Sequence, residues 1–334
     1  MPCDYAYVYG AGPKIRSCYC GGNAYVGASF LWWTARKEGL AFAGNGVTFD
    51  SLESAGFGFY RHPDWEWKPG FKISAGRTWR HDDWDVAAAY TWIDFSGKKD
   101  KVFDPNTILE NNILVPTWYV GGVLTVGDVF DTQLSKARTK WEFLFQSMDF
   151  EIGHNHFASQ MLTVRPFSGL KVSWQDEAYR LRYFTQESST GNLQIKRMRQ
   201  DQDYWGVGIR SGLDLHFFFS RNWSFAGRLA LTPMMSNFEI TREDRISGTA
   251  ANDPFLTTYH VSDDFFTLIG VMELFLGLQF DVWLKKEHRY HFQFQAGWEE
   301  QLWWNHNQYI KRIEVSSHGD LMMHGLTLQA RFDF

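Results

Sequence analysis

Arg210, Asp214, Arg228, Glu273, Asp281, Glu299 and Arg331 are the side chains of this sequence best suited to chemistry, because each lies on or beside the polar side of a run in which apolar and polar residues alternate. An unpartnered buried charge is expensive, so such groups either pair with one another or meet water. If Lys285 to Arg289 forms a tight turn, Asp281 comes near His291 and Glu273 near Glu299, while Asp214 comes near Arg228 across Ser220 to Trp223. Two readings follow. One is a set of cross-strand ion pairs that fill an interior. The other is a solute pathway tuned by the Glu273 and Glu299 carboxylates opposed by Arg210, Arg228 and Arg331, as charged rings tune other pores.

Other chemistries have less to stand on. His154 and His156 alternate onto one face, but they fall at an expected short polar turn, and no metal site is assigned to them. Cys3, Cys18 and Cys20 precede the first clear strand, and no Cys or His pair elsewhere completes a zinc site at ligand spacing. An odd number of cysteines there leaves open one disulfide plus a free thiol, or cross-linking between chains. No Gly-x-Ser-x-Gly elbow or phosphate-binding glycine loop occurs, so catalytic residues and cofactors are expected to be none. A hydrolase with its residues spread over several strands stays open as an alternative. The net charge of -5 carries no basic block, which argues against nucleic acid as a partner.

The elements that must position these charges are strands. From Tyr290, the residues Tyr290, Phe292, Phe294, Ala296 and Trp298 share one face, and His291, Gln293, Gln295, Gly297 and Glu299 share the other. Trp205 to Phe219, Leu274 to Leu284 and Gly325 to Phe334 repeat the pattern. Aromatic residues make up 18% of the chain, with 16 Trp, yet mean hydropathy is only -0.35. A transmembrane barrel satisfies both, since its strands alternate lipid-facing and lumen-facing residues between aromatic girdles. No stretch reaches the roughly 18 to 20 apolar residues of a spanning helix.

The spacing predicts strands over 23–43, 64–80, 85–95, 136–152, 161–184, 203–219, 224–241, 263–284, 290–304 and 320–334. Short polar connections (81–84, 153–160, 220–223, 285–289) alternate with long ones (44–63, 96–135, 187–202, 242–262, 305–319). The fold class is therefore an all-β transmembrane antiparallel up-and-down barrel of about ten strands, with the short turns and both ends of the chain periplasmic. Twelve strands follow if 112–126 forms a further hairpin. Residues 1–22 form a cysteine-containing N-terminal segment and 23–334 the barrel. Met1-Pro2-Cys3-Asp4 lacks the basic and apolar regions of a secretory signal, so either the signal has been removed or the start site is misassigned.

Several motifs in order resemble one family. They are Pro69-Gly70-Phe71-Lys72-Ile73, Trp84-Asp85-Val86 with Tyr90-Thr91-Trp92, Leu162-Thr163-Val164-Arg165-Pro166-Phe167, Trp205-Gly206-Val207-Gly208, Ala296-Gly297-Trp298-Glu299 and the closing Ala330-Arg331-Phe332-Asp333-Phe334. From about Gly22 to Phe334 the chain resembles the Legionella-type major outer membrane proteins, which also occur in environmental relatives of the chlamydiae. The resemblance implies a pore-forming or structural barrel of the bacterial outer membrane with no assigned catalytic residues. Its partners would be outer-membrane lipids, small solutes and the barrel-assembly machinery, which would recognise the terminal Phe334. A homo-oligomer is also open.

Two features remain. Trp32, Trp33, Trp65, Trp67, Trp79, Trp84, Trp92, Trp223, Trp283, Trp303 and Trp304 lie near expected strand ends, where interface anchoring accounts for them. A soluble Trp-rich β-sandwich that binds carbohydrate is the competing account. The uncharged segment Ile113 to Val126, with Trp118 and Tyr119 at its centre, is expected to fold inward or against the rim. An extra hairpin and a subunit contact are its alternatives.

Overall fold

A computed structural model describes residues 24–45, 59–79, 84–96, 101–103, 114–120, 134–159, 161–186, 193–247, 256–284, 290–311 and 319–334. Cys3, Cys18, Cys20 and the rest of the N-terminal segment lie outside the described residues. Ten long strands form the wall: β1 (Ala24–Lys37), then β4 (Lys68–Thr78), β5 (Trp84–Asp94), β8 (Leu134–His154), β10 (Leu162–Gln186), β11 (Leu193–Phe218), β12 (Trp223–Ile246), β13 (Leu256–Leu284), β14 (Tyr290–Trp303) and β15 (Leu321–Asp333). Short strands β2 (Ala43–Asn45), β3 (Phe59–Arg61) and β7 (Leu114–Pro116) make a separate three-stranded sheet. β6 (Lys101–Phe103) adds to β8, and β9 (His156–Phe157) to β10.

Closure is read directly from the pairing. β15 pairs with both β14 and β1, β1 pairs with β4, and β8 bridges β5 and β10, all antiparallel. A closed ring is what lipid demands, because every backbone N–H and C=O inside hydrocarbon must find a partner within the sheet. The ends of the ring meet where Ala24 and Phe334 exchange backbone hydrogen bonds, at the short-turn end.

The period-2 alternation sorts the side chains inside out relative to a soluble protein. Ile209 and Leu268 point outward and are 61% and 71% exposed, while Arg210 and Lys171 point inward and are 3% and 0% exposed. Exposed Trp84, Trp223, Phe219 and Phe334 ring the short-turn end. A second belt of exposed Trp32, Trp67, Trp174, Trp205, Trp298 and Trp304 marks the other interface. Trp33, Trp65 and Trp303 do not join these belts. Trp33 and Trp303 are fully buried inside the ring, because they follow or precede an outward-facing residue in strict alternation, and Trp65 packs on Trp141. Trp283 likewise faces inward and stacks beside His291.

Two expected loops are shorter than their polarity suggests. β11 begins at Leu193, and β12 and β13 run to Ile246 and from Leu256, so much of 187–202 and 242–262 is strand. There the outer wall carries Arg180, Arg199 and Glu243 instead of apolar residues, so alternation of hydrophobicity disappears although alternation of direction continues. The extension from Trp174 to Phe184 rises about 25 Å at ~3.3 Å per residue and a tilt near 40°. The segment that would supply strands eleven and twelve in the alternative twelve-strand reading instead places Leu114–Pro116 against β2, in the three-stranded sheet.

Two outcomes test this frame. Leu213→Arg, between the belts on the lipid face, should cost about 2 to 4 kcal/mol in a folding titration, whereas Gln295→Arg, facing the interior, should cost much less; equal losses would mean that the faces are exchanged. In a background with the three native cysteines replaced by serine, a membrane-impermeant thiol reagent should label Thr258→Cys on intact cells and spare Ser220→Cys. The reverse pattern would invert the barrel.

Candidate functional site

The interior divides into two zones. The lower one, at the short-turn end, is a cavity of 540 Å³ lined mainly by charged and polar side chains. All seven charged residues singled out from the sequence, Arg210, Asp214, Arg228, Glu273, Asp281, Glu299 and Arg331, line it. Asn155 and Ser220 to Asn222 also line it, so the cavity reaches the short-turn mouth.

Neighbouring strands supply complementary charges at matching heights. Arg165 grips Asp85 with Nε and Nη2 and donates through Nη1 to Glu151 at 3.0 Å and Asp214 at 2.8 Å. Arg228, directly across from Asp214, donates to both of its carboxylate oxygens. Arg210 makes a forked contact with Glu273 and reaches Glu151 at 2.8 Å. Lys171 ties Glu273 at 2.6 Å to Asp149 at 2.8 Å. Such forked guanidinium–carboxylate pairs are the stronger kind of hydrogen bond and fix side chains in one geometry. The ring of Phe167 lies beneath all three arginines, with the guanidinium carbons of Arg165, Arg210 and Arg228 at 5.5, 4.9 and 5.3 Å from its centre. Two glycines make the room. A Cβ on Gly153 would stand 2.6 Å from the Arg165 guanidinium, and one on Gly212 would stand 2.6 Å from the Phe167 ring.

The expected pairs are present in part. His291 bridges Asp333 at 2.6 Å and Asp281 at 3.1 Å, and Arg331 holds Asp333 while lying over Tyr25. Glu273 and Glu299 take different partners: Glu273 takes Arg210 and Lys171, whereas Glu299 accepts from Lys72 at 2.7 Å and Thr327 at 3.0 Å. The register puts Glu299 opposite Phe275 and Glu273 opposite Gln301, two residues along, and each carboxylate takes its cations from a different side of the ring. Lys72, Asp85, Asp149, Glu151, Arg165 and Lys171 are further members that the sequence reasoning missed. Asp149 and Glu151 alternate with Met148, Phe150 and Ile152, so the same face test would have found them.

Above this zone the bore is filled. Trp33, Phe42, Trp118, Phe143, Tyr179, Tyr183, Tyr204, Phe238, Trp303 and Tyr309 are buried in one aromatic cluster that joins the wall to three inward-folded segments, 38–42, 117–120 and 304–310. Trp118 is 3% exposed, and its indole N–H donates to the Ala41 carbonyl at 2.8 Å. Tyr119 offers its carbonyl to Arg242. Inward loops carry backbone groups that need partners, and wall side chains supply them. Arg242 donates also to the Ile310 carbonyl at 2.8 Å and to Asp244, Gln200 accepts from the Ile310 N–H, and Gln202 accepts from the Gln308 N–H. Glu177 gathers Lys37 at 2.7 Å, the Tyr309 hydroxyl at 3.1 Å and the Trp141 indole at 3.3 Å. Ile113 and 121–126 lie outside the described residues. His154 and His156 place their ring nitrogens 3.1 Å apart at the short-turn end, and among the described residues no group of three His, Cys, Asp or Glu could hold a metal ion.

Residues 18–334 match the family described as the Legionella pneumophila major outer membrane protein precursor. The chain belongs to that family. Its place is therefore the bacterial outer membrane, as the lipid-facing girdles require. No curated protein matches the chain. Among solved structures, the outer-membrane protease OmpT from Escherichia coli aligns at 10% identity with a TM-score of 0.41, covering 95% of this chain and 98% of that one. A major outer membrane protein from Thermus thermophilus aligns at 11% identity and TM-score 0.26, covering 92% and 99%. Ail of Yersinia pestis aligns at 8% identity and TM-score 0.27, covering 94% and 99%.

Arg242→Met removes one donor set from two of the three inward segments, 117–120 and 304–310, while keeping side-chain length. Lost hydrogen bonds to a charged group are each worth about 1.5 to 3 kcal/mol, so amide exchange over 117–120 and 304–310 should quicken by about tenfold or more. The barrel should remain heat-modifiable on gels. Unchanged exchange there would show that Arg242 does not hold the segments.

Proposed function

We propose that this family member is a pore-forming outer-membrane barrel that passes small polar solutes, with the charged cavity as its periplasmic vestibule and the aromatic plug as its resistance. The observation that carries the reading is the 540 Å³ polar cavity reaching the short-turn mouth and ending at the inward segments. A vestibule lined by Arg210, Arg228 and Arg331 against Asp214, Glu273, Asp281 and Glu299 is nearly balanced in charge, which favours weak ion selectivity. Trp118 and Tyr119 act as constriction residues in this account. The side chains pair instead of activating a nucleophile, so passage is passive and no covalent step is assigned to them. Phe334, 47% exposed at the sheet's last strand, is the natural contact for barrel-assembly machinery, and self-association in the membrane is compatible with the outer wall.

The tightly packed plug favours a second reading, a chiefly structural major outer membrane protein. Planar-bilayer recordings of the refolded chain separate the two. A pore predicts small wild-type conductance that rises in Arg242→Met and in Trp118→Ala, both still heat-modifiable. Silence in all three would leave the structural role.

A further inference from the structure

Above the upper aromatic belt, the outer wall of β8 and β10 to β12 carries charge in rows. Arg138, Arg182, Arg197 and Arg245 stand directly opposite one another on four adjacent strands, all on the outward face. Strands are ~4.8 Å apart, and like charges directly opposite are destabilising. One pleat nearer the membrane, Lys140, Arg180 and Arg199 form a second row, and these meet Glu142 and Asp201 at 2.7 to 3.1 Å. In the top row Arg245 meets Glu243 at 2.7 Å and Arg138 lies over the Phe184 ring, and the four guanidinium groups stand side by side along it. Arginine forks set side by side at this interval fit a series of phosphates or carboxylates on one partner.

We infer that the arginine row is a docking face for the anionic saccharide head of an outer-leaflet glycolipid standing beside the barrel. Three observations select this occupant. The row points sideways, continuing the lipid-facing strip that ends at Trp174 and Trp205, so its partner stands in the same leaflet. The height is also decisive: Arg182 lies eight residues beyond Trp174, about 20 Å above the belt. Ordinary phospholipid phosphates stop at the belt, and there they meet the opposite charge pattern. Asp176, Asp203, Glu239 and Asp264 stand in register on β10 to β13, immediately above Trp174, Trp205 and Phe266. The wall therefore repels an anion held at the phospholipid level and attracts one carried about 20 Å higher on sugars.

The test uses the full chain refolded in an uncharged maltoside detergent and two probes, a lipooligosaccharide with phosphorylated core sugars and the same glycolipid after removal of the core phosphates. Wild-type protein should bind the phosphorylated form about tenfold more tightly, and Arg182→Gln with Arg197→Gln should erase that difference. The corresponding double Lys variant should keep part of it. These positions are on the outer surface, and gel heat-modifiability checks folding; the single Arg182→Gln variant gives the same readout should the double variant fold poorly. Equal affinity for the two glycolipids, or a preference unchanged by the Gln variants, overturns the inference. A second arm addresses the source of the anion. In nanodiscs already containing the phosphorylated glycolipid, a soluble heparin fragment should bind weakly, and tight heparin binding there would overturn the assignment to a partner in the membrane.

Discussion

The hydrogen-bonded seam between β1 and β15 is the contact on which the other features depend. In hydrocarbon an unpaired strand edge is prohibitively costly, so a sheet that enters lipid must close on itself. Once closed, alternation has only one consistent solution, with apolar side chains meeting lipid and their neighbours pointing into a confined interior. The glycines at 153 and 212 are part of that constraint, since a narrow ring can take an Arg165 guanidinium or a Phe167 ring only where the facing residue has no side chain.

A confined interior must then be made stable without a continuous apolar core, and the molecule does this differently at its two ends. Within the membrane span, charges from β5, β8, β10, β11, β12 and β13 neutralise one another around Phe167 and a cavity that retains access to the short-turn mouth. Replacing such a network by apolar residues is often neutral for stability, so its value lies in fixing a polar bore of defined shape. Beyond the membrane the wall continues, but the bore receives chain instead of water. There an aromatic cluster with Glu177 and Arg242 as polar hubs holds three inward segments against the wall. The same barrel is thus open and polar below and packed above.

The outer surface follows a parallel division. Leucines, isoleucines and aromatic belts cover the span, an acidic row sits just above the upper belt, and arginines follow higher up. Each boundary coincides with a change in what the wall faces. Hydrocarbon selects apolar side chains, whereas the aqueous phase beyond it admits charges of either sign. This explains why β10 to β13 extend past the bilayer without a continuous apolar outer face.

Alternation in 205–219, 273–284, 290–304 and 325–334, together with the rhythm of short and long connections, was enough for the all-β class, a transmembrane barrel of about ten strands and the inward direction of Arg210, Asp214, Glu273, Asp281, Glu299 and Arg331. Period-2 geometry needs only local sequence, and the lipid makes the pattern visible by demanding apolar residues on one side. Where lipid is absent, that contrast is lost, so 193–202 and 242–246 looked like loop although they are strand. Which charges meet was decided by register between strands far apart in sequence: Arg165 reaches Asp85 across 80 positions, and Lys72 reaches Glu299 across 227. The plug belongs to the same class of fact. Trp33 and Trp303 are interior aromatics and not interface anchors, and Trp118 lies under Ala41, because closure of the ring brings inward loops from three places in the chain into one space. Local sequence carries the direction of each side chain, and only the closed tertiary structure supplies its neighbour.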